Sequence, residues 1–155
     1  MQVSARVDYA LRAMTELAAA SRDNGCEALR GVEIATSQAI PKKFMENILF
    51  DLRRAGFIKA RRGAGGGYQL ARAADEITLA DIIRAVEGPL ANVRGEWPEE
   101  VRYSGPAELL QSVWIAVRAN LRGVLESVTL HDLVAGKLPN AVKKLTEDAN
   151  AWRHH

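Results

Sequence analysis

Eight lysine and arginine side chains lie within residues 42–72, a segment that holds only two acidic side chains. The segment carries a net charge of +6, whereas the whole chain of 155 residues carries +2. Ammonium and guanidinium groups concentrated in this way neutralise phosphates or other polyanions. A run of charge alone is more often a solvated surface, so the surrounding elements must decide what it binds. The eight side chains are Lys42, Lys43, Arg53, Arg54, Lys59, Arg61, Arg62 and Arg72.

The spacing of apolar residues predicts helices over 4–22, 31–38 and about 41–55, followed by two short strands at 57–61 and 67–70. Ser4 suits a helix cap, Pro41 suits the first position of the third helix, and Gly56 suits a left-handed ending. The glycine-rich run between the strands is typical of a hairpin tip. The buried stripe predicted for the third helix is Phe44, Met45, Ile48, Leu49 and Leu52, and its outward face is Lys43, Glu46, Asn47, Phe50 and Arg54.

A short helix, a tight turn, a second helix and a hairpin form, in this order, a winged helix-turn-helix, whose second helix fits the major groove of DNA. On that helix, Asn47 suits adenine and Glu46 suits the amino group of cytosine. A structural role for Glu46, as a cap or an ion pair with Arg53 or Arg54, is the alternative. Arginines at the hairpin tip suit a narrow minor groove. The predicted DNA contacts are Lys42, Lys43, Phe44, Glu46, Asn47, Arg53, Arg54, Arg61, Arg62, Gly63, Gly65, Gly66 and Tyr68.

The second half of the chain predicts a helix capped by Thr78 and ending at Val86, a loop, and a long helix over about 106–127. Apolar residues on the long helix alternate at spacings of three and four, close to the heptad pattern of a helix that packs on a partner. The predicted dimerisation residues are Leu110, Val113, Trp114, Val117, Leu121, Val124 and Leu125. We predict a mainly α fold with a small β-hairpin, divided into a DNA-binding domain (1–88), a variable loop (89–105), a dimerisation helix (106–135) and a tail (136–155).

These elements and motifs resemble the winged helix-turn-helix regulators of the IscR, NsrR and CymR family over about residues 1–135. The most specific stretches are 40–58, from Ile40-Pro41-Lys42-Lys43 to Gly56-Phe57-Ile58, and 61–71, with Arg62-Gly63 before a Gly-Gly-Gly-Tyr wing; Ser4, Tyr9-Ala10, 77–79 and 82–88 are also similar. The resemblance implies a symmetric dimer crossed through the long helix, with two recognition helices on a palindromic operator. It also implies that Glu46 contacts bases and that Arg62 enters the minor groove.

The chain departs from the cluster-binding members of this family, which place three cysteines in the loop before the long helix. That loop, 89–105, contains no cysteine and no histidine, and Cys26 is the single cysteine of the chain. Because iron–sulfur clusters need mostly thiolate ligands, we predict no cofactor and no metal. Asp8, a carboxylate ligand position in some relatives, is interpreted as a charge at a helix N-terminus or as a partner of Arg12.

The remaining candidate groups favour simpler interpretations. Cys26 is interpreted as an incidental thiol and His131 as a surface histidine, and His154 and His155 are given no function. Trp97 and Trp114 flank the variable loop and suit an effector pocket, but Trp114 lies on the apolar stripe and is interpreted as core.

We therefore expect a transcriptional regulator, acting as a repressor, that binds double-stranded DNA as a homodimer. It is not expected to be an enzyme, since no nucleophile–base set or motif-placed carboxylate pair is present. The alternative is a redox or metal sensor that responds through Cys26 or an unrecognised ligand site. A small-molecule effector or a partner enzyme is a further partner to consider. Nothing resembles a secretion signal or a membrane span, so we expect a cytoplasmic protein.

Overall fold

The structure is a computed structural model that describes residues 2–23 and 27–153. The predictions made for Cys26, His154 and His155 lie outside these residues. The described helices are α1 (Ala5–Asp23), α2 (Gly31–Ser37), α3 (Lys42–Arg54), α4 (Leu79–Val86), α5 (Leu110–Leu125), α6 (Leu130–Ala135) and α7 (Asn140–Glu147), and the strands are β1 (Ile58–Arg61) and β2 (Gly67–Leu70). The predicted fold class, mainly α with one small hairpin, is confirmed.

The core forms where α1 packs against α3 and α4, with α2, α6 and the hairpin closing its sides. Helix α1 contributes one continuous apolar face, because its small and large residues recur at helical spacing. Its central members, Met14 and Leu17, are fully buried, as are Ile34 of α2 and Leu52 of α3. Because their inner faces are packed in the core, the outer faces of these helices have fixed positions.

The two halves of the chain are joined by a pair of matching helix starts. Thr78 caps α4 and Thr129 caps α6, each in a reciprocal box with an aspartate three residues later. The two threonines also form an antiparallel bridge, in which the Leu79 N–H donates to Val128 O at 3.0 Å and the Leu130 N–H donates to Ile77 O at 3.0 Å. The chain therefore returns to the core after α5.

Three details of the sequence-based prediction are wrong. Pro41 is the cap residue of α3 rather than its first helical residue, because its extended ψ of 131° leaves only its carbonyl inside the helix. Phe44 is not in the buried stripe; it is 50% exposed and meets the ring of Tyr9 edge-on. The long helix is shorter than predicted and begins at Leu110, since Gly105 adopts a left-handed φ of 57° and Pro106 lies in a 3₁₀ turn.

None of the helices in the described part of the chain combines the length and the apolar character that a membrane span requires.

Candidate nucleic-acid interface

Helix α3 has one covered side and one free side. Its apolar residues Met45, Ile48, Leu49 and Leu52 are between 0 and 2% exposed, so the helix is anchored along its length. The side chains on the opposite face, Lys42, Lys43, Glu46, Asn47 and Phe50, are exposed. An anchored helix with an exposed polar face has the form that docks into a major groove.

The end of α3 is set by Gly56 in a left-handed conformation, as predicted. Its φ is +77°, the Gly56 N–H donates to Arg53 O at 3.0 Å, and the Phe57 N–H donates to Leu52 O at 3.0 Å. This pair of bonds closes the helix and turns the chain directly into β1. The hairpin is thereby held at a fixed position relative to the end of α3.

The hairpin, which we call the wing, pairs Ile58 with Leu70 and Arg61 with Gly67. Two of its glycines are required by close approach. A Cβ on Gly66 would lie 2.6 Å from Arg61 O, and a Cβ on Gly67 would lie 2.5 Å from the backbone of Leu29. The tight tip leaves Arg61 and Arg62 exposed at its edge.

A third extended segment, which sequence reasoning missed, fastens the wing to the helix pair. The Leu29 N–H donates to Tyr68 O at 2.9 Å, and the Tyr68 N–H donates to Leu29 O at 2.7 Å. Within residues 27–30 only Leu29 pairs, and one residue is too short for an alternating pattern to be recognised in the sequence. The bridge ties β2 to the residues just before α2, so the wing and α3 belong to one body.

The eight basic side chains of residues 42–72 are all exposed. Within the described part of the chain none of them has an ion pair or a side-chain hydrogen bond; Arg72 only lies over the ring of Phe57, 4.7 Å from its centroid. Of the two acids in the segment, Asp51 is neutralised by Arg6 of α1. The segment therefore presents uncompensated positive charge to solvent.

Glu46 is the second acid of this segment and is exposed in the middle of the basic face. It is not the cap of α3, and among the described residues it has no ion pair with Arg53 or Arg54 and no hydrogen bond. None of residues 2–23 and 27–153 pairs with Glu46, so its carboxylate remains available on the helix that would face DNA.

Two of the residues predicted to contact DNA also pack against other parts of the protein. Tyr68 is half-buried against the core, with its ring close to Gly31 at the start of α2, and Phe44 packs on Tyr9. The other predicted contacts lie on α3 or on the wing, and all but the half-buried Gly66 are exposed. The shared body of α2, α3 and the wing brings them to the same part of the molecule.

A different surface forms along α5. No residue of this 16-residue helix is buried, and the apolar residues Leu110 and Val113 are 39% and 47% exposed. Trp114, Val117, Leu121 and Leu125 line an open groove of about 650 Å³ together with residues of α4, the loop after it and the N-terminal turn of α1. Trp114 is thus not the core residue that was predicted: it is half-buried, lines this groove and donates from Nε1 to the Tyr103 hydroxyl at 3.0 Å.

The loop before α5 is fastened to that helix by side chains of α5, which bind its backbone carbonyls and one of its carboxylates. The side-chain amide of Gln111 donates to the carbonyls of Glu99 and Val101 at 3.0 and 2.8 Å, and Arg118 forms an ion pair with Glu99 at 2.6 Å. Within the loop, Pro98 and Val101 are buried. At the start of α1, Asp8 lies 3.1 Å from Arg12, which confirms that pairing.

Comparison with known proteins places the chain. The model of the Rrf2 family, described as "Iron-dependent Transcriptional regulator", matches residues 3–136. The chain belongs to the Rrf2 family. It is 42% identical over 151 residues to Rv1287 of Mycobacterium tuberculosis, a protein named as a helix-turn-helix-type transcriptional regulator, covering 97% of this chain and 92% of that protein. It is 37% identical over 135 residues to the regulator CymR of Bacillus subtilis, covering 87% of this chain and 91% of CymR.

Solved structures agree with this assignment. The structure of CymR, the global cysteine regulator of B. subtilis, has a TM-score of 0.73 at 34% identity and covers 88% of this chain and 98% of CymR. The structure of IscR from T. potens has a TM-score of 0.69 at 30% identity and covers 100% of this chain and 93% of IscR. This Rrf2-family protein is a DNA-binding transcriptional regulator with a winged-helix fold and is not an enzyme, as predicted.

The iron in the family description does not fit the donor atoms of this member. An iron–sulfur cluster is held mainly by thiolates, and the sequence contains a single cysteine, Cys26, which is far in sequence from the loop 89–105. Within residues 2–23 and 27–153 there is no group of three or more histidine, cysteine, aspartate or glutamate side chains that would hold a metal ion. The absence of a cofactor nevertheless stays a prediction, because Cys26 lies outside the described residues.

Proposed function

We propose that this Rrf2-family regulator binds a palindromic operator as a symmetric homodimer and represses the adjoining gene. Helix α3 supplies the base contacts through Glu46 and Asn47, Lys42 and Lys43 bind phosphates, and Arg62 of the wing enters the minor groove. The observation that carries the proposal is the uncompensated charge: eight exposed basic side chains on one body, with no anionic partner among the described residues.

The pairing of two copies is supported by α5. Its apolar stripe is exposed in the single chain and continues into the groove between α5, α4 and the start of α1. An apolar surface of this extent on a small protein usually marks an interface. We assign residues 1–88 to DNA binding and residues 106–135, with α5 at their centre, to dimerisation.

Repression follows from where such a dimer would lie. A twofold symmetric protein with one recognition helix per subunit binds two half-sites about one turn of DNA apart, roughly 34 Å. A protein of this size placed across a promoter excludes polymerase from the same DNA.

Selection of bound sequences from random DNA tests this proposal, followed by footprinting upstream of the protein's own gene. We expect an inverted repeat with half-sites about 10 base pairs apart, protected on one face of the duplex. Enrichment of a single unrepeated element, or of no sequence, would contradict the symmetric operator. Transcription in the presence of the protein then distinguishes repression from activation.

A sensor function through Cys26 is the alternative, and it has a direct test. Protein purified without oxygen should be colourless and free of stoichiometric iron, and Cys26→Ser should bind DNA equally in oxidising and reducing buffer. Loss of binding after peroxide that requires Cys26 would establish the sensor instead.

A small-molecule effector or a partner enzyme would act through a surface other than the basic face. The groove along α5 has a volume in the range of small-molecule sites and is lined mainly by apolar side chains. Co-purification followed by mass spectrometry, of small molecules and of proteins, distinguishes these two kinds of partner from a dimer that needs neither.

A further inference from the structure

Helix α1 makes a polar contact with the turn between α2 and α3. In the sequence, α1 is remote from both DNA-facing elements, α3 and the wing. The Arg12 guanidinium donates from Nη1 to the carbonyl of Gln38 at 2.9 Å. Gln38 is the residue that ends α2, so this bond grips the turn at the point where the chain leaves the first helix of the pair. A charged donor on a backbone carbonyl is among the stronger hydrogen bonds of a protein.

The turn needs such support because it is strained. Ala39 adopts a φ of +51°, a left-handed conformation in which the Cβ of an L-residue crowds its own carbonyl. Four contacts hold it there: Arg12 on Gln38 O, the Gln38 side-chain amide on Glu16 of α1, the Ala39 N–H on Thr36 O at 3.3 Å, and the Ile40 N–H on Ala35 O at 2.8 Å. Two of the four involve α1, and both act on Gln38.

Arg12 is also connected to the start of α3, through the ring of Tyr9. Its guanidinium carbon lies 5.1 Å from the centroid of the Tyr9 ring, and that ring meets Phe44 edge-on, with centroids 5.8 Å apart. Phe44 is in the first turn of α3, beside Lys42 and Lys43. Asp8 lies 3.1 Å from the buried Nε of Arg12 and offsets its charge. Arg12 therefore binds the end of α2 directly and contacts the first turn of α3 through Tyr9.

We propose that Arg12 is a positioning residue for operator recognition: it holds the strained turn at Ala39, and thereby places the first turns of α3 for base contact. The proposal rests on the proposed base contacts of α3. Hydrogen bonds to base edges need close geometry, whereas attraction between a lysine and a phosphate tolerates displacement. Loss of Arg12 should therefore reduce specificity more than general affinity.

The first test is Arg12→Met, which keeps an unbranched stem over Tyr9 and removes every donor. We expect operator affinity to fall about tenfold, as for the removal of a charge-assisted hydrogen bond, while affinity for random duplex stays within about twofold. The matched control is Arg22→Ala on the same helix, because Arg22 donates to the carbonyl of Val134 in α6 and should leave the operator preference unchanged. Equal losses for operator and random DNA would overturn the proposal.

The second test uses the strain itself. Glycine adopts a left-handed φ without crowding, so Ala39→Gly should restore most of the operator affinity that Arg12→Met loses. If Arg12 only stabilised the fold, Ala39→Gly would not restore specificity, and the melting temperature and affinity would fall together. Asp8→Asn, at an exposed side chain, keeps the fold and should weaken the operator preference by only about twofold; an unchanged preference in both Arg12→Met and Asp8→Asn would also overturn the proposal. Failure of the proposed base contacts is recognised separately, by an unchanged base preference in Glu46→Ala and Asn47→Ala.

Discussion

Helices α3 and α5 are both amphipathic, but opposite sides of the two helices find partners within the chain. On α3 the apolar side is buried, and apart from Asp51, which pairs with Arg6, its charged side chains have no ion pair with any described residue. On α5 no residue is buried, while its arginines are paired, Arg118 with Glu99 and Arg122 with Glu126. The unpaired positive charge of α3 suits a polyanion, whereas the exposed apolar residues of α5 suit another apolar surface.

Arginines on and beside α5 have carboxylate partners, unlike the basic side chains of α3. Hydrogen bonds from Arg84 and Arg122 hold the pKa of the Glu126 carboxyl below its usual value. The pKa of Glu99 is lowered by its own backbone N–H and by Arg118. A carboxyl whose pKa is lowered in the folded state contributes stability above its unfolded pKa, and this contribution is lost as pH falls through the lowered value. These ion pairs are therefore intact at neutral pH, whereas the basic side chains of α3 have no ion pair with any described residue.

The largest effect should come from charging the stripe of α5. Leu110→Asp with Val113→Asp places two carboxylates on its most exposed part, so the dimer should separate and operator affinity should fall by a factor of about a hundred or more, since the second half-site is no longer tethered. Sedimentation and titration measure the two quantities.

Ile115→Asp is the matched control for this pair. Ile115 lies on the opposite side of the same helix. Its exposed fraction of 40% is close to the 39% of Leu110. If Ile115→Asp also separated the dimer, or if the double variant remained dimeric, the apolar stripe would not be the interface.

A smaller effect is expected at the wing. Arg62→Ala should reduce affinity about tenfold, and more on operators with A·T-rich flanks, whose narrow minor groove attracts arginine. Arg94→Ala, at an exposed arginine in the loop before α5, is the control. Equal losses on A·T-rich and G·C-rich flanks would remove Arg62 from the minor groove.

The lysines at the start of α3 should have a still smaller and uniform effect. Lys42→Ala or Lys43→Ala should weaken binding to operator and random duplex alike, and should flatten the dependence of log affinity on log salt by about one unit for each phosphate that is no longer neutralised. Titrations at several salt concentrations measure the slope, with Lys143→Ala on α7 as the control. A salt slope that matched the unsubstituted protein would mean that these lysines do not touch phosphate.

Local sequence chemistry was enough to predict much of the DNA-facing half. The capping threonine of α4, the left-handed Gly56 and the four buried residues of α3 depend on neighbours close in the chain, and all were confirmed. The contacts that the sequence did not reveal join distant segments: Leu29 with Tyr68, and Arg12 with Gln38. No periodicity marks a single bridging residue or a side chain that meets a carbonyl 26 positions away. The roles of the candidate contacts with DNA remain predictions, since they depend on a partner.

Glu46 gives the most direct test of the central claim, that α3 reads the sequence of an operator. Its carboxylate lies among cations that favour phosphate, so it opposes DNA binding in general and favours only a site that offers a cytosine amino group. A matched base contact is worth about 1–3 kcal/mol of discrimination. The measurement is a titration of the unsubstituted protein and Glu46→Ala against the operator, a single-position mismatch series and random duplex. We predict that Glu46→Ala loses the preference at one base pair of each half-site, while affinity for random duplex stays equal or rises. An equal loss of affinity for operator and random duplex, with the preference retained at every position, would contradict the claim.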